Sequence, residues 1–331
     1  MSFWTGKRVL VTGAAGFIGS HLCETLTQAG ASVRALTHYS SRCDFGNLEY
    51  LSAANRQQLD IVRGDVTDEH MVRSVVEGCT HVFHLAALIG IPYSYLAPKH
   101  YAHVNVLGTL AVLEACKKVG VERLVHTSTS ETYGSAQYTP IDEQHPLVGQ
   151  SPYSASKIGA DKIAESYFLS FGLPVATIRP FNTYGPRQSP RAIIPTICSQ
   201  LLAGKREIVL GSLTPRRDLN YVTDTCAGFM KAAEDDRWVG RVTNVGTGKS
   251  ISIGELAQLI ISLSGRAATV TTKEERIRPE KSAVQELLCD ATLARATGWS
   301  PQVSLEEGLS RVLEFMEAGA GRQGDTQRYW V

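Results

Sequence analysis

Tyr153-Ser154-Ala155-Ser156-Lys157 sets a phenol and an ammonium four residues apart, hence on one face if the segment is helical. A cation beside a phenol favours the phenolate, so such a pair can take a proton from a hydroxyl while hydride leaves the same carbon. The same spacing also suits an ordinary surface pair. Further upstream, Ser128-Thr129-Ser130-Glu131-Thr132-Tyr133-Gly134 gathers hydroxyls and one carboxylate directly after an apolar run, where side chains at a strand end face a cleft.

Hydride transfer needs an acceptor, and Gly13-Ala14-Ala15-Gly16-Phe17-Ile18-Gly19 is suited to hold one. Small residues between a strand and a helix let the chain turn sharply and bring backbone close to a diphosphate, with the helix N-terminus facing its charge. The second strand ends Ala35-Leu36-Thr37-His38 without the acid that binds an adenosine ribose in NAD-selective sites. Ser40, Ser41 and Arg42 are placed to receive a 2′-phosphate, although Arg42 equally suits a solvated loop. Both NAD+ and NADP+ therefore stay open, held tightly and recycled. Asp65, after the third strand, is placed to meet the adenine or to cap the following helix.

These residues need a frame. Arg8 to Thr12, Ser32 to Leu36, Ile61 to Gly64, His81 to Ala86 and Arg123 to Thr127 read as short buried strands separated by longer amphipathic stretches. That alternation predicts an α/β fold, a Rossmann doubly wound parallel sheet with a smaller C-terminal α/β substrate lobe. Tyr153 to Phe171 has helical spacing, ends at Gly172 and Pro174, and leads into a further strand, Val175 to Ile178. We place the dinucleotide-binding domain at 1–180, with possible returns near 219–224 and 243–246. A smaller substrate lobe follows at 181–317, entered through the turn-rich stretch Phe181 to Arg191, and then a Gly- and Ala-rich tail at 318–331.

Composition narrows the partners. A formal charge of +1 gives no reason to expect nucleic acid, so any phosphate must be recognised by local amides and arginines. Seven scattered cysteines without a Cys-x-x-Cys pair fit reduced thiols in cytoplasm. His81 and His84 would point to opposite faces of one strand, a poor metal pair, and no metal is expected. No apolar run is long enough for a bilayer, and Met1 to Thr5 lead directly into a strand, leaving no room for a leader; no membrane partner is expected.

Together, the glycine turn from Thr12 to Gly19, His84-Leu85-Ala86-Ala87, Asn105-Val106-Leu107-Gly108-Thr109, Tyr153 with Lys157, and Arg179-Pro180-Phe181-Asn182 resemble the extended short-chain dehydrogenase/reductase family, in its NAD-dependent epimerase/dehydratase branch. The resemblance covers nearly the whole chain. It implies that Gly13, Gly16, Phe17, Ile18, Gly19, Asp65, Val66, Leu85, Ala86, Ala87, Asn105, Tyr153 and Lys157 line the cofactor, and that Asn182, Arg187, Arg217 and Arg278 hold the substrate diphosphate. It also implies a homodimer built on the helix carrying Val106, Leu110 and Leu113 and the helix after Tyr153, a pattern that burial against the sheet would equally produce.

Ser128 to Gly134 resembles the active-site stretch of nucleotide-sugar 4,6-dehydratases, implying catalytic roles for Thr129, Ser130 and Glu131. Simple 4-epimerases generally lack the acid at the Glu131 position. Where dTDP-glucose dehydratases have Thr-Asp-Glu, this chain has Thr129-Ser130-Glu131, as GDP-mannose dehydratases and UDP-glucuronate decarboxylases do. The triplet therefore leaves loss of water and loss of carbon dioxide both open, and Glu131 could instead cap a helix. Ala87 to Tyr95, Gly149 to Tyr153, Arg179 to Gln188 and Leu210 to Pro215 are most similar to the LegB-type 4,6-dehydratases. That similarity implies a UDP- or GDP-linked sugar as substrate, specifically an N-acetylglucosamine nucleotide.

Overall fold

The computed structural model describes residues 2–41, 44–273 and 284–319. Arg42, Arg278 and most of the expected tail (320–331) lie outside them. Seven strands form one parallel sheet: β1 (Arg8–Thr12), β2 (Ser32–His38), β3 (Asp60–Gly64), β4 (His81–His84), β5 (Arg123–Thr127), β6 (Val175–Pro180) and, after three strands of a second sheet system, β10 (Val242–Val245). Their order is β10-β6-β5-β4-β1-β2-β3. The direction of winding reverses between β1 and β4, so the crevice at their carboxyl ends is where such a sheet binds a ligand. The glycine turn follows β1, Leu85 follows β4, Thr129 follows β5 and Asn182 follows β6, which brings all four segments to one rim.

Helices cover both faces. Val72, Val75 and Val76 of the helix Glu69–Val76, Val112, Leu113 and Cys116 of Gly108–Val119, and Ala164 and Tyr167 of Pro152–Phe171 pack on one side of the sheet. On the other side lie Leu22, Cys23 and Leu26 of the helix Phe17–Gln28 and Phe229 and Ala232 of Val222–Glu234. This second layer runs without a break into Leu256, Ile260, Leu309 and Val312 of the C-terminal half, so the two lobes share one apolar core.

The C-terminal strands are β7 (Asn182–Tyr184), β8 (Glu207–Leu210), β9 (Arg216–Tyr221), β11 (Ser250–Ser252), β12 (Thr269–Thr272) and β13 (Glu286–Leu287). β9 pairs with β7, β11 and β13, and β8 pairs with β12. The chain re-enters the dinucleotide-binding sheet as β10 beside β6. Near 219–224 it returns as the helix Val222–Glu234, whereas the strand before it stays in the small sheet.

Two local readings change. The run His81 to Ala86 stops being a strand at His84, because Thr12 Oγ1 accepts the amides of Leu85 and Ala86, each at 3.1 Å, and turns the chain toward the glycine turn. The stretch from Phe181 to Arg191 is not all turn, since Asn182–Tyr184 pairs with β9. Among the described residues no helix is long and apolar enough to cross a membrane, and no cluster of three His, Cys, Asp or Glu could hold a metal.

Candidate active site

Gly13 sits at φ +69°, and a Cβ there would stand 2.8 Å from the Ala86 amide nitrogen. At Gly19 it would stand 2.3 Å from the Gly13 carbonyl oxygen. Both positions therefore require glycine, one for the turn and one so that the helix Phe17–Gln28 can lie against it. That helix begins at Gly16 with no side-chain cap and no acid in its first turn, which leaves its N-terminal amides to an outside anion. The geometry fits a dinucleotide diphosphate.

Asp65 does not cap the next helix: the cap is Asp68, whose carboxylate accepts the Met71 amide at 3.0 Å. Asp65 instead accepts from the Thr67 amide and hydroxyl at 2.9 and 2.8 Å. Burial pushes its carboxyl up, but those bonds and the charges of His38 and His103 outweigh it and hold it below the usual range. Val66 is buried against Gly108. Ser40 is exposed, just beyond β2.

The helix Pro152–Phe171 starts at a capping box in which Ser151 and Ser154 each accept the other's backbone amide, with Pro152 in its first turn. This fixes the register of Tyr153 and Lys157, which are 7% and 4% exposed. Thr129 caps the short 3₁₀ turn Ser130–Tyr133 through the Glu131 amide at 3.3 Å, and its side chain lies close enough to the Tyr153 phenol to favour the phenolate. Glu131 lies close enough for its charge to act on that phenol, so Thr129, Glu131 and Tyr153 come together. Ser130 is buried beneath them.

Electrostatics differ from the simple cation-beside-phenol picture. Burial pushes the Tyr153 phenol well up, with the Thr129 side chain lowering it and Glu131 among the charges raising it. Burial also pulls the Lys157 ammonium down to about 8, opposed by Asp161. Desolvation is the largest influence on both groups.

Several residues at the site were not singled out by sequence reasoning. Tyr101 packs edge-on against Tyr153 at 6.2 Å and donates its hydroxyl to the Gly90 carbonyl. Asp161, one turn beyond Lys157, accepts from His126 Nε2 at 2.9 Å, Ser128 Oγ at 2.6 Å and Arg179 Nη2 at 2.8 Å. Its spacing from Lys157 was visible in the sequence; its partners on β5 and β6 were not.

Other expected contacts take different forms. Asn105, in a π-helical stretch from Ala102 to Leu107, uses its amide on the Leu88 amide and carbonyl and on Ser156 Oγ, at 2.8, 3.0 and 2.9 Å. It ties the loop after β4, with Leu85, Ala86 and Ala87, to the Tyr153 helix. Asn182 lies beyond β6 with Oδ1 buried and without a protein partner, an acceptor available to a ligand donor. Arg187 adopts φ +68° and pairs its guanidinium with Glu24 of the helix Phe17–Gln28 at 2.7 Å, while its carbonyl accepts from Asn47. Arg187 thus clamps the substrate lobe to the dinucleotide lobe. Arg217, on β9, donates to the carbonyls of Arg216 and Val284 at 2.8 and 2.9 Å.

With this geometry in hand, the comparisons fall in one family. A model described as GDP-mannose 4,6 dehydratase matches residues 10–312. The UDP-glucose 4-epimerase of Mycolicibacterium smegmatis is 35% identical over 93% of this chain and 98% of its own. A crystal structure of dTDP-glucose 4,6-dehydratase from Streptomyces venezuelae, with NAD bound, superposes with a TM-score of 0.84 at 30% identity, covering 95% of this chain and 98% of that one. UDP-N-acetylglucosamine 4-epimerase from Methanobrevibacter ruminantium superposes with a TM-score of 0.87 at 29% identity, covering 95% and 99%.

Proposed function

We propose, from the premise that this chain belongs to the NAD-dependent epimerase/dehydratase family of extended short-chain dehydrogenases/reductases, that it is a nucleotide-sugar 4,6-dehydratase. The observation that carries this reading is the carboxylate of Glu131 beside the Thr129–Tyr153 pair. Oxidation alone, or epimerisation through it, needs the phenol and a hydroxyl partner; elimination needs a further base, and the Glu131 carboxylate is the group that would supply one. The substrate is a UDP- or GDP-linked sugar, and the similarity to LegB-type enzymes favours an N-acetylglucosamine nucleotide.

Bound nicotinamide dinucleotide supplies a reversible hydride acceptor. The glycine turn, Asp65, Val66, the Leu85–Ala87 loop and Lys157 would hold it, as NAD+, or as NADP+ if Ser40 and Arg42 take a 2′-phosphate. Tyr153 would take the proton of the hydroxyl on carbon 4 when that carbon is oxidised, with Thr129 hydrogen-bonding the same oxygen. The ketone acidifies carbon 5, from which Glu131 takes a proton. The hydroxyl on carbon 6 would then leave as water, with the bound dinucleotide supplying the hydride that reduces carbon 6. Two protons are collected, by Tyr153 and Glu131, and two are used, by the departing hydroxyl and by carbon 5. Ser130 stands where some dehydratases carry a second acid, so Glu131 serves both halves of the elimination. Asn182 and Arg217, with Arg278, hold the diphosphate side of the substrate; Arg187 acts through its clamp on Glu24.

The similarity to UDP-sugar 4-epimerases makes 4-epimerisation the second reading. Incubating the purified protein with UDP-, GDP- and dTDP-sugars and weighing the products separates them. Loss of water supports the dehydratase, an unchanged mass with a new sugar supports the epimerase, and loss of carbon dioxide from a glucuronate overturns both. Glu131→Gln is expected to abolish water loss, and full dehydratase turnover in that variant would refute the assigned base.

A further inference from the structure

The glycine turn is held by more than its own backbone. Asn47, in the 3₁₀ turn Gly46–Tyr50 beyond β2, donates its backbone amide to the Ala15 carbonyl at 3.0 Å. Its neighbours fix it there: Leu48 is fully buried, and the Tyr50 ring meets Phe315 of the C-terminal helix Leu305–Ala318 edge-on at 5.1 Å.

A second grip comes from the segment between β7 and the helix Ile193–Leu202. Asn47 Nδ2 donates to the Arg187 carbonyl at 3.1 Å, and the Arg187 guanidinium holds Glu24 at 2.7 Å, the two side chains being 10% and 23% exposed. His21 Nε2, three residues nearer the glycines on the same face of the helix Phe17–Gln28, donates to the Pro186 carbonyl at 3.0 Å. Among the described residues Arg187 is the one non-glycine at positive φ, a conformation that persists only where its surroundings hold it. These bonds close a ring. It runs from Ala15 to Asn47, on to Arg187, across to Glu24 and His21, and back along the helix to the glycine turn.

We propose that Asn47 is a positioning residue that latches the dinucleotide site, holding the glycine turn to the substrate lobe through Arg187 and letting go each time a dinucleotide enters or leaves. The turn cannot draw back from a diphosphate while Asn47 holds Ala15 and the helix behind it is pinned at His21 and Glu24. Asn47 is the single link on one side of the ring, whereas His21 and Glu24 share the other. None of these bonds is made to the dinucleotide itself. Opening the ring therefore costs the same on the way in as on the way out, so the latch sets the rates of exchange and leaves the affinity alone. A cofactor that ends the reaction as it began gains from slow exchange.

The inference rests on the reading of the glycine turn as a dinucleotide site, and its test needs no turnover. Protein stripped of nucleotide is mixed with NADH, and in a parallel arm with NADPH. Nicotinamide fluorescence gives the rate of entry, and displacement by excess NAD+ or NADP+ gives the rate of release. In Asn47→Ala both rates are expected to rise about fivefold, the worth of one average hydrogen bond, with the dissociation constant within about twofold of the wild type. Glu24→Gln weakens one of two parallel grips, so its rates are expected to rise less. Asn47→Ala with Glu24→Gln is expected to exchange no faster than Asn47→Ala alone, because the ring is already open.

Arg187 Nη1 is buried without a protein partner, so Glu24→Gln leaves a poorly compensated cation. If that variant does not fold, Glu24→Gln with Arg187→Met removes both charges and takes its place. Damage to the turn alone would speed release without speeding entry. That result, additive effects in the double variant, or wild-type rates in Asn47→Ala overturns the latch while the dinucleotide site stands. A protein that binds neither NADH nor NADPH defeats the dinucleotide reading and the latch with it.

Discussion

Replacing Lys157 by methionine tests the electrostatics of the site through stability alone. The ammonium is lowered from an ordinary 10.5 to about 8, chiefly by burial, and its side chain is 4% exposed. A base whose folded pKa lies below its unfolded one costs stability wherever both states are protonated, and the cost fades as pH rises from the folded value toward the unfolded one. At about 1.4 kcal/mol per pH unit, the charged lysine costs about 3 kcal/mol at pH 7 and about 1.5 kcal/mol at pH 9.5.

Lys157→Met removes that cost, so its stability advantage is expected to shrink by about 2 kcal/mol across this interval. Asp161 keeps Ser128, His126 and Arg179 in the variant, and its attraction for the ammonium is already contained in the value of about 8. Urea unfolding at the two pH values, on protein stripped of bound nucleotide so that no ligand stabilises the wild type alone, reads the difference. A gap between wild type and variant that is the same at both pH values refutes the reasoning, because it would mean that Lys157 does not titrate between them.

Three further outcomes are expected. Tyr153→Phe keeps the packing against Tyr101 but loses the phenol that moves the proton, so turnover on the best sugar should fall by about 10²- to 10⁴-fold with the urea midpoint little changed; retained turnover refutes the acid–base assignment. Gly19→Ala forces a Cβ to 2.3 Å from the Gly13 carbonyl, so stability should fall by about 1–3 kcal/mol and dinucleotide affinity with it, measured by urea unfolding and fluorescence titration; a variant that binds and unfolds as the wild type does would mean that the turn is not held as described. Light scattering on dilute protein should give twice the chain mass, and a monomer would refute the homodimer proposed from the helices at Leu110 and Tyr153.

How far the sequence reaches is clearest at particular residues. Alternating apolar runs and helical stretches sufficed for the parallel sheet, because burial on both faces leaves a signal in every strand. The end of β4 was misplaced by two residues, since what stops it is a hydroxyl on β1, Thr12, capturing the amides of Leu85 and Ala86. Asp65 offered the same composition cue as Asp68, and only the turn geometry decides which of them caps the helix. Arg187 carries a phosphate-binding side chain in a promising motif, yet its partner is Glu24, more than a hundred residues away in the chain.

Local chemistry was determined by the sequence itself: the glycine turn, the spacing of Tyr153 and Lys157, and the hydroxyls and carboxylate from Thr129 to Glu131 follow from residue types and helical or turn geometry over a few positions. The tertiary structure alone decided which groups are charged and what holds them. Desolvation depends on everything packed around a side chain, so no spacing rule could foresee that burial would raise the Tyr153 phenol, lower the Lys157 ammonium, and leave Asp161, gripped from β5 and β6, as the charge that opposes it.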